Sequence, residues 1–236
     1  MSRPSTAQAG RVRFGGVQTA RGWAFELTGG RLCLDLANTR DERGTDHPRE
    51  LLPRYEDLLN WGVQARAIRP ADAAALRGHA VSRQIAASEA LRRATEVREA
   101  IFRLFSALAD GLEAPPDALT VLNRSLSEAL GKRCLGRHGR RLVWEWRQAA
   151  RPELDQVLWP VILSAADLLT SSDLDRVRRC AGTGCAWLFI DTSKNRTRRW
   201  CDMSVCGNRA KAKRHYAKVK TRKTAARRTS TTARSG

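Results

Sequence analysis

Four cysteines near the C-terminus are the residues of this 236-residue chain best suited to chemistry. They form two pairs, with four residues inside each pair and fifteen residues between the pairs. Two short chelating loops joined by a connection of hairpin length are typical of a tetrahedral thiolate site for zinc. A catalytic zinc would keep an open position and usually a histidine ligand, but only His215 lies near. The spacing therefore predicts one structural zinc ion, held by Cys180, Cys185, Cys201 and Cys206.

A β-hairpin followed by a helix is expected to position these thiols. Residues 186–190 are mainly apolar and aromatic and predict a strand. Residues 192–197 predict a polar turn, and residues 199–201 predict the return strand of the hairpin. Cys206 then opens a segment rich in Ala, Lys and Arg, which favour helix, and a helix N-terminus stabilises a thiolate. Disulfides are the alternative, but they need an oxidising compartment, and the N-terminus has no apolar signal segment.

The same stretch resembles a known zinc-finger family. The string RRWCDMSVCGNRAKAKR is similar to the CGNR zinc finger, named after the Cys-Gly-Asn-Arg motif found here at residues 206–209. The preceding string CAWLFIDTSKNRTRRWC also resembles that finger. Residues 32–44, LCLDLANTRDERG, resemble the ABATE domain that usually precedes it. The resemblance implies a bacterial DNA-binding transcription regulator.

The formal net charge of +19 is concentrated at the C-terminal end. Residues 176–236 carry 18 Lys and Arg against 2 Asp and Glu, whereas residues 1–175 carry 25 against 22. Such polarised charge indicates a polyanionic partner, because balancing four thiolates around zinc needs only a few cations. The expected nucleic-acid contacts on the hairpin and the helix are Arg196, Arg198, Arg199, Asn208, Arg209, Lys211, Lys213, Arg214 and Lys218.

Some of these finger residues have two interpretations that the sequence leaves open. Asn208 and Arg209 belong to the first helical turn and would reach base edges in a groove. They would equally well cap the helix and hydrogen-bond the cysteine loop. Trp187, Phe189 and Trp200 are expected to form the small core of the finger, because a module of this size has little else to bury.

Three other functional classes compete with DNA binding. An RNA- or ribosome-binding protein fits the basic tail equally well, and a protein-interaction module fits the zinc fold but leaves the charge unexplained. An enzyme has the least support, because the chain has no His-Glu-x-x-His, Gly-x-Gly-x-x-Gly, phosphate-binding loop or Gly-x-Ser-x-Gly. We therefore predict a non-enzymatic, cytoplasmic nucleic-acid-binding protein, with DNA favoured over RNA. No apolar run reaches membrane-spanning length.

The longer N-terminal part is predicted to be mainly α-helical with small β-hairpins. Apolar residues at helical spacing, with prolines at helix starts and glycines at helix ends, predict helices over residues 51–61, 70–80, 88–110, 115–130 and 152–169. Pro160 is expected to kink the last of these helices or to split it in two. Alternation predicts a hairpin over residues 23–36 that turns at Gly29-Gly30. It also predicts a half-buried strand over residues 142–146, with Trp144 and Trp146 facing the core.

These patterns divide the chain into four parts: a disordered N-terminus (1–22), a helical domain that resembles ABATE (23–175), the finger (176–220) and a disordered basic tail (221–236). The short connection at residues 173–179 suggests that the finger is docked on the helical domain. That domain would sense a small molecule or form a homodimer. A polar cluster in it either turns the chain or lines a ligand pocket; its members are Asp35, Asn38, Thr39 and Arg43.

Overall fold

The computed structural model describes residues 15–19, 22–147 and 151–232, with only the backbone described for residues 221–232. Within these ranges the fold is mainly α-helical with small antiparallel two-stranded sheets, as predicted. The helices are α1 (Leu32–Ala37), α2 (Tyr55–Gln64), α3 (Pro70–Val81), α4 (Gln84–Ala109), α5 (Pro116–Leu130), α6 (Leu158–Leu169) and α7 (Asn208–Thr232). The strands are β1 (Gly16–Thr19), β2 (Gly22–Phe25), β3 (Arg40–Asp41), β4 (Arg49–Glu50), β5 (Arg133–His138), β6 (Arg141–Trp146), β7 (Val177–Arg179) and β8 (Leu188–Ile190).

The short helix α1 lies at the centre of the main hydrophobic core. Its residues Cys33, Leu34, Leu36 and Ala37 have no exposed surface, and it packs against α4 and α6. Complete burial of one leucine side chain stabilises the fold by about 2 kcal/mol. Helix α1 therefore organises the domain although it has only six residues.

The long helix α4 shows why the apolar periodicity is informative. Its buried positions recur every three or four residues, from Ala87 through Ala94 and Ile101 to Phe105, so a single stripe faces the core. The helix ends at Gly111, whose φ of 72° is easy for glycine. The amides of Gly111 and Leu112 bond back to carbonyls in the last turn, which is the Schellman arrangement.

The hairpin predicted over residues 23–36 is wrong. Strand β2 pairs with the preceding strand β1, in the register Val17 to Ala24, and residues 32–37 form helix α1 instead of a return strand. Four of the six residues of α1 are buried, and a short apolar run of this kind does not reveal its period. Asp35 also holds the turn, since its Oδ1 accepts a hydrogen bond from the Gly29 amide at 2.8 Å.

Helix α6 begins later than the sequence predicts. It starts at Leu158, so Pro160 is its third residue and not an interior one. The first four amides of a helix have no partner within it, and a proline there removes nothing. The predicted helix is therefore shortened at its start: residues 154–157 form turns, and Pro160 lies in the first turn of α6.

The strand predicted over residues 142–146 is present as β6, which pairs with β5, but its two tryptophans differ. Trp146 is half-buried, and its ring centroid lies 5.4 Å from that of Trp159 on α6. Trp144, which was also expected in the core, is 63% exposed. An isolated two-stranded hairpin has no second layer to cover both rings.

The predicted disorder at the two ends is partly contradicted. Residues 1–14, 20 and 21 lie outside the described residues, but Gly16–Thr19 form strand β1. At the other end, α7 continues to Thr232, through most of the tail that was expected to be disordered. Alanine, lysine and arginine favour helix, and here that propensity prevails over the lack of a packing partner. Residues 233–236 lie outside the described range.

Candidate metal centre and basic surface

The four predicted cysteine ligands meet at one point. Cys180 and Cys185 lie in the loop from β7 to β8, Cys201 follows a long connection, and Cys206 lies in a π-turn that runs into α7. Their four sulfur atoms lie within 4.8 Å of one another, and all four side chains are buried. The Cys201 sulfur lies 3.7 Å from the sulfurs of both Cys185 and Cys206. With Zn–S bonds of about 2.3 Å, a tetrahedral site has sulfur–sulfur edges of about 3.8 Å, so this donor set fits zinc.

The ionisation of these thiols shows why the site needs a cation. Hydrogen bonds from the Cys185, Cys201 and Cys206 thiols, with the Cys201 backbone amide, lower the pKa of Cys180. The hydrogen bond with Cys180 contributes most to raising the pKa values of Cys185 and Cys201, and burial raises them further. Without a metal, ionisation of Cys180 is therefore favoured, and ionisation of Cys185 and Cys201 is disfavoured. A divalent ion removes that conflict, because a coordinated thiol is deprotonated outright.

Backbone amides also stabilise the sulfur of Cys180. The amides of Gly182 and Cys201 each donate to that sulfur at 3.4 Å. Gly182 has no room for a side chain, because an added Cβ would lie 2.9 Å from the Cys206 sulfur and 3.4 Å from the Cys180 sulfur. The loop between the first two cysteines is therefore pressed against the metal centre.

Replacing Gly182 with alanine should lower zinc affinity about tenfold, because the new methyl group would push the loop away from two ligands. Competition with a chelator of known affinity measures the effect. Gly78→Ala is the matched control, since a Cβ at that helical position meets nothing within 4 Å. Equal zinc affinity in the Gly182→Ala and wild-type proteins would contradict this account of the loop.

Strand β8 joins the metal centre to the helical domain. Trp187 and Phe189 pack around the four cysteines, as predicted, with Trp200 partly buried beside them. The alternate residues, Leu188 and Ile190, point the other way and belong to the main core. A strand that has apolar residues on both faces is buried on both sides. The finger is therefore docked on the helical domain, as the short connection predicts.

The predicted return strand of the finger is wrong. Strand β8 pairs with β7, in the register Arg178 to Phe189, and residues 199–201 form no strand. The buried Asp191 carboxylate instead organises the intervening loop. It accepts hydrogen bonds from the amide and hydroxyl of Ser193 and from the amide of Arg198, at 2.6–3.0 Å. Nothing in the cysteine spacing points to this role of Asp191.

The polar cluster predicted as a turn or a ligand pocket serves mainly as an internal framework. The amide of Asn38 bonds to both the N–H and the C=O of Leu188 in β8, each at 2.9 Å. The hydroxyl of Thr39 donates to the Leu36 carbonyl at 2.7 Å. Arg43 pairs with Glu99 at 2.7 Å, and Asp35 holds the Gly29 turn. Each of these four side chains therefore has a protein partner, and the alternative of a ligand pocket stays a prediction.

Asn38→Ala should lower the free energy of unfolding by about 3 kcal/mol, because it leaves two buried backbone groups of β8 without partners. Chemical denaturation of the zinc-loaded protein measures this change. Asn123→Ala on the exposed face of α5 is the control, and it should change the free energy by less than about 0.5 kcal/mol. Similar free energies of unfolding for the two variants would show that the Asn38 bonds do not connect the finger to the helical domain.

Arg98 is buried, although the apolar pattern of α4 places it on the solvent-facing side of that helix. Its side chain is 1% exposed, and its guanidinium forms two 2.6 Å hydrogen bonds with the carboxylate of Glu50 on β4. Burial by itself raises the pKa of Glu50, but the hydrogen bonds and charge of Arg98 lower it overall. A charged residue of this kind gives no periodic signal, so its burial is not readable from spacing.

The predicted nucleic-acid contacts fall into an exposed group and an internal one. The exposed residues lie on the loop before Cys201 and along α7; they are Arg196, Arg199, Asn208, Arg209, Lys211, Lys213, Arg214 and Lys218. Arg198 is different, since it donates to the carbonyls of Trp200 and Cys201 and stacks over Phe189 at 4.5 Å. Arg198 therefore stabilises the finger from within.

Two of the exposed residues are also tied to the finger. The Asn208 amide donates to the Ser204 carbonyl at 2.9 Å, across the π-turn. The Lys213 ammonium lies 3.3 Å from the Thr183 hydroxyl in the first cysteine loop. These bonds fix the start of α7 relative to the metal centre. Lys211, Arg214 and Lys218 extend farther along the same helix.

The fold and the sulfur cluster together define a zinc-finger protein, whose treble-clef-like finger is docked on a helical domain. Residues 30–172 match the model of the ABATE family, described as "Putative stress-induced transcription regulator". Residues 176–219 match the CGNR zinc finger. This chain belongs to the ABATE family and carries a CGNR zinc finger at its C-terminal end. No curated protein matches its sequence. None of the described helices has the length and apolar character needed to cross a membrane.

Proposed function

We propose that this protein binds DNA through the exposed cations of α7 and the loop before Cys201, and that it regulates transcription. The observation that carries the proposal is the exposure of α7. Residues 211–218 are all exposed, and they include four cations and no acidic residue. A helix that is exposed over this length and carries one sign of charge is suited to a polyanion.

The dimensions of α7 favour duplex DNA. Its 25 residues correspond to about 37 Å at 1.5 Å per residue. The major groove of B-form DNA is about 12 Å wide and admits a helix, whereas the major groove of A-form RNA is deep and narrow. Lys211, Arg214 and Lys218 recur at helical spacing and would meet phosphates on one wall of the groove. Lys213 projects from another side of the helix.

The metal centre would hold this helix in place. Zinc binds the thiolate of Cys206 immediately before α7, and the positive end of the helix dipole offsets part of the negative charge. The Lys213 contact to Thr183 and the Asn208 contact to Ser204 add to this anchoring. The helical domain would support the finger and either receive a small-molecule effector or pair with a second copy. We place this activity in the cytoplasm, where thiols stay reduced and available to zinc.

A salt titration of binding tests the proposal. Fluorescence anisotropy with a labelled 30-base-pair duplex should give a log–log slope of affinity against salt near −5, if about six phosphates are contacted. A structured RNA of equal length serves as competitor and should displace the duplex poorly. A flat salt response would rule out phosphate contacts. Stronger binding of the RNA would favour the RNA-binding alternative.

A further inference from the structure

The helical domain contains an open cavity that belongs neither to the finger nor to the polar cluster near α1. Its volume is about 730 Å³. It lies between the loop from α2 to α3 on one side and strand β6 on the other, with Gln156 at one end. We call it the tryptophan cavity, because Trp144 and Trp146 both line it. Its size is within the range of about 300–1,000 Å³ that is usual for small-molecule sites.

One wall of the tryptophan cavity is apolar and aromatic. The ring of Trp146 is fixed against Trp159, while Trp144 is 63% exposed. The Arg133 guanidinium lies over both rings, 5.2 Å from the Trp144 centroid and 4.8 Å from the Trp146 centroid, so a ligand would stack on the part of the Trp144 ring that this cation leaves exposed. Aliphatic side chains complete the surface; they are Val63, Ala67, Ile68, Pro70 and Val143. A planar aromatic ligand would pack best against this wall, because indole rings stack on other aromatic groups.

The charged groups of the cavity leave one cation available. Arg69 is paired with Asp72 through two 2.8 Å hydrogen bonds, and His138 lies 2.7 Å from Glu145. The Arg66 guanidinium makes no hydrogen bond or ion pair with any side chain that the structure describes. The backbone of Arg66 is nevertheless held in place: its φ is 59°, and its N–H donates a hydrogen bond to the Val63 carbonyl at 3.1 Å.

A second cavity, of about 640 Å³ between α2, α3 and α4, lacks this combination. Its arginines are satisfied, because Arg77 pairs with Glu56 and Arg54 pairs with Asp57. Its one aromatic residue, Tyr55, donates its hydroxyl to the Leu154 carbonyl at 2.7 Å. The tryptophan cavity differs because its lining includes both an available cation and an exposed aromatic ring.

We propose that the tryptophan cavity binds a planar aromatic carboxylate, with the ring against Trp144 and the carboxylate on Arg66. The apolar wall supplies most of the affinity, and the single guanidinium selects the anion over a neutral analogue. This inference is independent of DNA binding, because the cavity lies on the helical domain and is tested without nucleic acid.

Calorimetric titration of the zinc-loaded full chain tests the site, with 2-naphthoate and the neutral 2-naphthylmethanol as probes. Naphthoate should bind with a dissociation constant below about 1 mM, as expected for a well-matched ligand of this size. Trp144→Ala should weaken its binding about tenfold, by removing the stacking surface. Arg66→Asn should weaken the binding of naphthoate about fivefold and leave the affinity for naphthylmethanol unchanged. Asparagine tolerates the left-handed backbone conformation but removes the charge.

Leu142→Ala is the matched control for the hairpin. It removes a 68% exposed apolar residue from the same strand, two positions before Trp144 and outside the cavity lining, so it should leave both probes unaffected. Circular dichroism establishes that each variant is folded. Failure of naphthoate to bind at 1 mM, or equal binding by wild type and Trp144→Ala, would overturn the site. Equal naphthoate affinity in wild type and Arg66→Asn would overturn the carboxylate assignment.

Discussion

Replacing Cys206 with serine should abolish stoichiometric zinc binding and lower the free energy of unfolding by at least about 5 kcal/mol. Structural zinc contributes about 10–16 kcal/mol to the folding of isolated finger peptides. A serine hydroxyl cannot replace the thiolate, so the remaining three ligands leave an open coordination position. For a chain of this size, the loss corresponds to a fall in melting temperature of about 10–20 °C. Metal analysis and thermal unfolding measure the two effects.

The loss of zinc in Cys206→Ser should destabilise the helical domain as well as the finger. Leu188 and Ile190 belong to the main core, and Asn38 bonds to the backbone of the same strand. Loss of zinc should therefore speed hydrogen exchange in α1, which packs against β8. Cys134→Ser is the matched control, because this half-buried cysteine lies on β5 outside the sulfur cluster. A Cys206→Ser protein as stable and zinc-loaded as the control would refute the four-thiolate site.

The second large effect concerns the proposed DNA surface. Changing Lys211, Arg214 and Lys218 together to glutamine should make the salt slope of DNA affinity less negative by about 3. Near 0.1 M salt, this should weaken binding by about two orders of magnitude, because three phosphate contacts no longer release counterions. The three residues are exposed on α7, and none bonds to the metal centre, so the fold should persist.

A charge-matched control separates local contacts from net charge. Changing Arg137, Arg140 and Arg141 to glutamine removes the same three charges from the β5–β6 hairpin. This variant should keep the wild-type salt slope and lose less than about threefold in affinity, since charges beyond a Debye length are largely screened. If both triple variants lose affinity equally, α7 is not the binding surface, and the overall charge explains the attraction.

The metal site was readable from the sequence because zinc coordination depends on residue type and spacing alone. The same holds for α3 and α5, whose starts carry Pro70 and Pro116, and for α4, whose buried stripe runs from Ala87 to Phe105. Helix α7 was predicted from its composition, but its extent was not, because the tail lacks any core-forming residue and gives no periodic signal. Local propensity and periodicity therefore located most elements.

The errors lie where tertiary contacts decide the outcome. Residues 32–37 are apolar except for Asp35, and a run this short does not distinguish a buried helix from a strand. Strand β8 pairs with β7, and the Asp191 carboxylate organises the loop that follows through Ser193 and Arg198. Asn38 and Arg98 are both buried, and their partners are Leu188 and Glu50. Such partners are distant in sequence and leave no signature in a single chain.

The most direct measurement of the central claim is DNA affinity with and without zinc in the same full-length protein. We expect zinc removal by chelation to weaken binding to a duplex at 0.15 M salt by at least about tenfold and to flatten the salt slope, because α7 and the loop before Cys201 lose their fixed spacing. Restored zinc should recover both values. Equal affinity and equal slope in the zinc-loaded and zinc-free proteins would contradict the claim that the metal centre holds a DNA-binding surface.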